Sequence, residues 1–193
     1  VANSGIASDE RLADTDGLQA VTGGGQSLRP RTNEEAIRQA RRDAKEARKR
    51  YITEDLYPVD MVDVVQNANL RLMVASIDDP NFVGYYERGT GTIYVNALSA
   101  PPRLRTTMAH EFGHWYDLEV KGRPATSCKR EVRREFTSPG DAYADEFMLC
   151  FLMPEGLIRK LRKFGATIGR LSDDFGVSEE SVMNRLRSLG LLS

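Results

Sequence analysis

Apolar residues along this chain follow two periods, and the two are confined to different stretches. From Thr32 or Asn33 to about Tyr51 they recur at helical spacing, as Ala36, Ile37, Ala40, Ala44, Ala47 and Tyr51. That stripe predicts an amphipathic helix, and Thr32 with Glu35 has the spacing of a capping box. A second helix is expected from Pro58 to Asn67, with Val59, Met61, Val62 and Val65 turned inward. The pattern then changes. Leu70–Ile77, Phe82–Glu87 and Thr92–Asn96 are rich in Val, Ile and Tyr, with the turn sequences Asp78-Asp79-Pro80-Asn81 and Arg88-Gly89-Thr90-Gly91 between them. Three strands with short turns predict an antiparallel meander.

Helical spacing returns after Pro101-Pro102, a favoured helix opening, and lasts until Gly122 and Pro124. Ser138-Pro139 opens another helix that runs to about Met153, where Pro154 stops it. Shorter helices are expected near Glu155–Phe164 and Ile168–Phe175, and from Ser178 to about Leu189. Residues 1–30 hold Gly23-Gly24-Gly25 and Pro30 without any apolar period, so a disordered tail is expected. The predicted fold class is α+β: a small three-stranded antiparallel sheet packed against helices over 31–165, then a helix-turn-helix-like pair over 166–193.

Composition narrows the function classes. A hydrophobic share of 40% supports a real core, and a net charge of -1 gives no general pull toward nucleic acid or membrane. No run approaches the roughly 20 apolar residues that span a bilayer, and no apolar leader core precedes residue 30. A cytoplasmic location is therefore expected, with Cys128 and Cys150 reduced. The helix near the N-terminus carries Arg41, Arg42, Lys45, Arg48, Lys49 and Arg50, but Glu34, Glu35, Asp43 and Glu46 dilute that charge. A solvated mixed-charge face is the expectation there, ahead of a docking site for acidic partners or nucleic acid.

The candidate chemistry lies in His110-Glu111-Phe112-Gly113-His114, which holds the only two histidines of the chain. Positions four apart share one helical face, so both imidazoles reach one metal ion, and Glu111 beside them is placed as the general base. Two histidines leave a hydrolytic zinc site one protein ligand short. The candidates lie on the Ser138–Met153 helix, where Asp141 is favoured and Glu146 is the alternative. Asp145 shares the Asp141 face and is expected to hydrogen-bond a ligating imidazole. Cys128 is a weaker candidate, and Cys150 is expected in the core. Tyr85 or Tyr94, or an arginine, would supply an oxyanion donor, since no histidine remains for that task.

The run Arg103-Leu104-Arg105-Thr106-Thr107-Met108-Ala109-His110-Glu111-Phe112-Gly113-His114 resembles the signature of the ImmA/IrrE family of bacterial metallopeptidases. So does Asp141-Ala142-Tyr143-Ala144-Asp145-Glu146-Phe147, followed by Phe151-Leu152-Met153-Pro154. The resemblance implies a gluzincin-like fold with the H-E-x-x-H helix at a cleft. It implies His110 and His114 as metal ligands, Glu111 as general base, and Asp145 at a position that orients a ligand. Asp141 stands where that family usually carries glutamate. Aspartate is one methylene shorter, so either its helix comes closer or another acid ligates.

By the same resemblance the activity is endopeptidase cleavage of a helix-turn-helix transcriptional repressor, with Zn2+, or alternatively Mn2+, as cofactor. Thr92–Asn96 precedes the metal helix, a position expected to form a sheet edge onto which substrate adds. The competing reading is a metal-stabilised regulator that binds DNA or a repressor through its C-terminal helices without cleaving. In that reading Ser178–Ser188 enters a major groove, but Glu179 and Glu180 at its start would repel phosphates.

Overall fold

The computed structural model describes residues 31–79, 81–125 and 138–192, so the expected tail and Cys128 lie outside the described residues. Helix α1 (Asn33–Tyr51) begins as its sequence predicts: Thr32 Oγ1 accepts from Glu35 N, and Glu35 Oε2 accepts from Thr32 N. Ala36, Ala40, Ala44 and Ala47 are fully buried along α4 (Pro139–Leu152). Small side chains on that stripe let the two backbones approach closely. Asp43 is buried on the same helix, where it accepts from Tyr143 Oη at 3.0 Å and pairs with Arg123 at 2.8 Å.

Helix α2 (Met61–Asn67) starts later than Pro58, because the Asp60 carboxylate caps it by accepting from Val62 N and Asp63 N. The later start changes the inward set. Met61, Val64 and Val65 are buried, whereas Val62 is exposed.

Strands β1 (Arg71–Ala75), β2 (Gly84–Glu87) and β3 (Thr92–Asn96) form one sheet in the order β1-β3-β2. The β2–β3 hairpin is antiparallel, as expected. The meander is not formed: β1 runs parallel to β3, from Arg71 opposite Thr92 to Ala75 opposite Asn96, so the sheet is mixed. Asn96 supplies the physical reason. Its buried amide donates to Ile77 O at 2.8 Å and Phe82 O at 3.2 Å, and accepts from Ile77 N. It thereby satisfies both ends of the 76–83 connection, which can then cross the end of β3 instead of turning tightly. The consequence for function is that β3 is central and β2 is an edge.

Helix α3 (Pro101–Trp115) runs on into a π-helical turn at Tyr116–Val120, and Gly122 with φ +61 follows. Ile93, Val95 and Tyr86 are buried and α3 packs on β2 and β3. Phe112 meets Phe147 and Phe151 with ring centroids 6.1 and 5.6 Å away, which fastens α3 to α4. Each such pair adds about 1 kcal/mol beyond burial alone.

Helices α5 (Glu155–Lys163), α6 (Ile168–Phe175) and α7 (Glu179–Ser188) complete the described chain. Gly176 closes α6 in the left-handed region and Ser178 caps α7, which gives the helix-turn-helix-like pair read from the sequence. Leu171, Phe175, Val177, Val182 and Leu186 bury into the same apolar core as α3 and α4. Arg105 Nη1 donates to Gly176 O at 2.6 Å and ties α3 to that turn. No helix among the described residues is long and apolar enough to cross a membrane.

Candidate metal centre

Helices α3 and α4 pack against each other, and their facing residues build the centre. His110 and His114 lie one turn apart on α3, with their Nε2 atoms 3.0 Å from each other. Two nitrogens bound about 2.05 Å from one tetrahedral ion would be roughly 3.3 Å apart, so the pair has nearly the required spread. Asp141, in the first turn of α4, places Oδ1 3.6 Å from His114 Nε2. One donor atom from each of the three residues fits within 4.8 Å, and His114 and Asp141 are buried. Two imidazoles and a carboxylate are the donor set of a hydrolytic metal site, so these residues fit a metal ion.

The Asp141 carboxylate is held before any ion is considered. Its Oδ2 accepts from Ser138 N at 3.2 Å and Ser138 Oγ at 2.6 Å, in a capping box that opens α4. One oxygen is thus spent on the helix start while the other turns to His114. The Ser138-x-x-Asp141 spacing carried that signal in the sequence.

Asp145, one turn on, sits 2.9 Å from His110 Nδ1. That contact assigns the proton to Nδ1 and leaves the Nε2 lone pair for a metal. Glu146 lies elsewhere. It pairs with Arg41 Nε at 2.8 Å and Arg185 Nη1 at 3.5 Å, and accepts from Ser188 Oγ at 3.3 Å. Cys150 shares that cluster, and burial pushes its thiol up to about 12, which keeps it protonated.

Glu111 is buried, and a cleft of about 220 Å³ is lined by Glu111, His110, Asp145, Gly84, Thr107 and Arg103 among others. Gly84 of β2 is the close approach here. A Cβ at that position would lie 2.3 Å from Thr107 Cγ2 and 3.4 Å from Glu111 Cγ, so only glycine lets β2 lie against α3. Tyr85 and Tyr94 are not brought to the cleft. They pair across β2 and β3 at positions that alternate with Gly84, Tyr86, Ile93 and Val95, which belong to the α3 side. Tyr94 Oη instead donates to Glu87 at 3.2 Å.

Gly113 is the residue whose role spacing did not reveal. A Cβ there would come within 3.3 Å of Ala144 Cα and 3.2 Å of Phe147 Cδ1. Glycine therefore allows α3 and α4 to approach closely at this point. Its signal was available, since glycine inside a helix costs about 1 kcal/mol against alanine and calls for a packing reason.

An H-E-x-x-H helix crossed by an acid-bearing helix, beside a sheet edge, defines a centre of the metallopeptidase type. Residues 65–187 match the peptidase family described as the IrrE N-terminal-like domain, and the chain belongs to that family. No curated protein matches the chain.

Proposed function

We propose that the protein is a zinc-dependent endopeptidase that cleaves an extended segment of a specific protein, with a helix-turn-helix repressor as the expected substrate. The observation that carries the reading is the convergence of His110, His114 and Asp141 beside the buried Glu111. When bound, the ion supplies a Lewis acid that polarises a carbonyl and makes water acidic near neutral pH. Glu111 then takes the proton from the attacking water and returns it to the leaving amine. Asp145 keeps His110 in the tautomer that ligates. Among the described residues, Arg103 on the cleft wall is the cation available to the peptide beside it.

Substrate selection rests on β2. An extended peptide added to this edge would run past Gly84 and meet Glu111, whereas an intact helix could not pair there. The repressor comes from the resemblance and not from the cleft.

The reading as a non-cleaving DNA regulator has less support. Arg185, a cation of the would-be recognition helix, is buried on Glu146 and Met153 O, and Glu179 and Glu180 open that helix. Glu111→Gln separates the two readings. It should retain metal and fold while lowering cleavage by about 10²- to 10⁴-fold, measured on a helix-turn-helix repressor that the unaltered protein cleaves. Unchanged cleavage in that variant would sink the peptidase mechanism.

A further inference from the structure

A cavity of about 550 Å³ opens among α1, α4, α5 and α7, and shares no lining residue with the metal cleft. Its walls carry Arg41, Lys45, Arg48, Arg159 and Arg185, with Glu155 as the only wall carboxylate. That is a concentrated positive site in a chain of net charge -1. Part of the charge is compensated, by Glu146 on Arg41, Glu155 on Arg159 and Asp55 on Arg48.

Two donors remain. Lys45 is exposed at the cavity and makes no direct ion pair or hydrogen bond with the described residues, although its charge is felt by Glu155 on the same wall. Arg185 is 3% exposed; it spends Nε on Met153 O and Nη1 on Glu146, Cys150 and Ser188, which leaves Nη2 without an acceptor. Nη2 is not sealed from solvent, so an anion that enters the cavity can accept from it in a charge-assisted hydrogen bond. The first turn of α5 enters the same wall with no side-chain cap, and Gly156 presents bare backbone there.

A second cavity of about 660 Å³ continues from the first, sharing Arg48, Pro154 and Gly156. Its character is different, since it adds Ile52, Tyr57 and Leu157 together with one cation, Lys49, and one carboxylate, Asp55. The two together form a trough that is strongly cationic at one end and mixed at the other, where apolar and aromatic side chains stand beside Lys49 and Asp55. Both volumes lie in the range of small-ligand sites.

We propose that this trough binds a nucleotide. The phosphates seat against Lys45, Arg41 and Arg185 Nη2 at the start of α5, and the nucleobase lies along Ile52, Tyr57 and Leu157. Walls from four helices suit a small ligand better than a polymer, which tracks an open surface. Glu146, which holds Arg41 and Arg185 at this site, directly follows Asp145, so an occupant here touches the helix that carries the candidate metal ligand.

The test is calorimetric titration of the whole, metal-loaded protein with the four nucleoside monophosphates and triphosphates in excess Mg2+. Inorganic triphosphate and a single-stranded oligonucleotide run beside them. At least one nucleotide should bind with one-to-one stoichiometry and raise Tm. Lys45→Glu, at an exposed position whose charge acts on Glu155 without a direct bond, should weaken that binding at least about tenfold with an unchanged circular dichroism spectrum. Lys160→Glu, exposed on α5 outside the trough, should leave it within about twofold. Three results would overturn the proposal: no nucleotide binding at millimolar concentration, nucleotide binding that survives Lys45→Glu, or binding of inorganic triphosphate or the oligonucleotide with no response to any nucleotide.

Discussion

Helix α4 carries two buried carboxylates, Asp141 in its first turn and Glu146 a turn and a half later, and they face different neighbours. Asp141 looks toward two imidazoles and is oriented by Ser138, while Glu146 looks toward the guanidiniums of Arg41 and Arg185. Burial alone does not distinguish a ligand from a structural anion. The partner does. A carboxylate already neutralised by two cations has little left to offer a divalent ion, whereas one beside two imidazole nitrogens completes a donor set.

That contrast predicts a double dissociation, which is the largest effect expected here. Asp141→Ala should lower metal affinity by more than about 100-fold, read by elemental analysis after dialysis against a weak chelator. Glu146→Ala should keep the metal and instead lower unfolding stability by about 2–3 kcal/mol, because it leaves the Arg185 guanidinium buried without its anion. The half-exposed Arg41 can turn to solvent, which holds the loss below that of a fully buried pair. If Glu146→Ala loses metal while Asp141→Ala retains it, the two acids have been assigned the wrong way round.

Asp145 sharpens the comparison from between the two. Its carboxylate is more than half exposed, yet its 2.9 Å contact with His110 Nδ1 makes it part of the metal side of α4. Asp145→Ala should weaken metal binding by about ten- to a hundredfold and leave thermal stability of the metal-free protein nearly unchanged. Equal losses in both measurements would instead mean that the residue serves the fold.

The local half of this architecture was legible in the sequence, because local rules govern it. Helix periods, the Thr32 and Ser138 caps, the Gly176 stop and the i,i+4 pairs each depend on neighbours within one turn. What was not legible depends on contacts across long separations. Nothing near Leu70 or Thr92 announces that β1 pairs parallel with β3; the cause is the Asn96 amide bridging Ile77 and Phe82. The same crossing makes β2, and not the Thr92–Asn96 strand, the edge beside Glu111. Glu146 remained an alternative ligand in the sequence because Arg41 and Arg185, which claim it, are 105 and 39 residues distant.

Gly113 gives the smallest and most discriminating prediction. Asp141 is one methylene shorter than the glutamate that the resemblance leads one to expect, so if it is the ligand, α4 has to lie closer to α3 than a glutamate ligand would require. Gly113 faces Ala144 and Phe147 at that contact, where a Cβ would meet atoms at 3.2–3.4 Å. Such a contact needs the neighbour to yield by a few tenths of an ångström. Gly113→Ala also removes a mid-helix glycine, which on propensity alone would stabilise the helix by about 1 kcal/mol. The two effects act on different readouts. Stability should change by less than about 1 kcal/mol, because the gain in α3 offsets the strain against Phe147, while metal affinity should fall several-fold as Asp141 is moved back from His114. Pairing the substitution with Asp141→Glu should recover part of the lost affinity, since the longer side chain spans the widened gap. A double variant that binds metal no better than Gly113→Ala alone would show that helix spacing is not what the short ligand depends on.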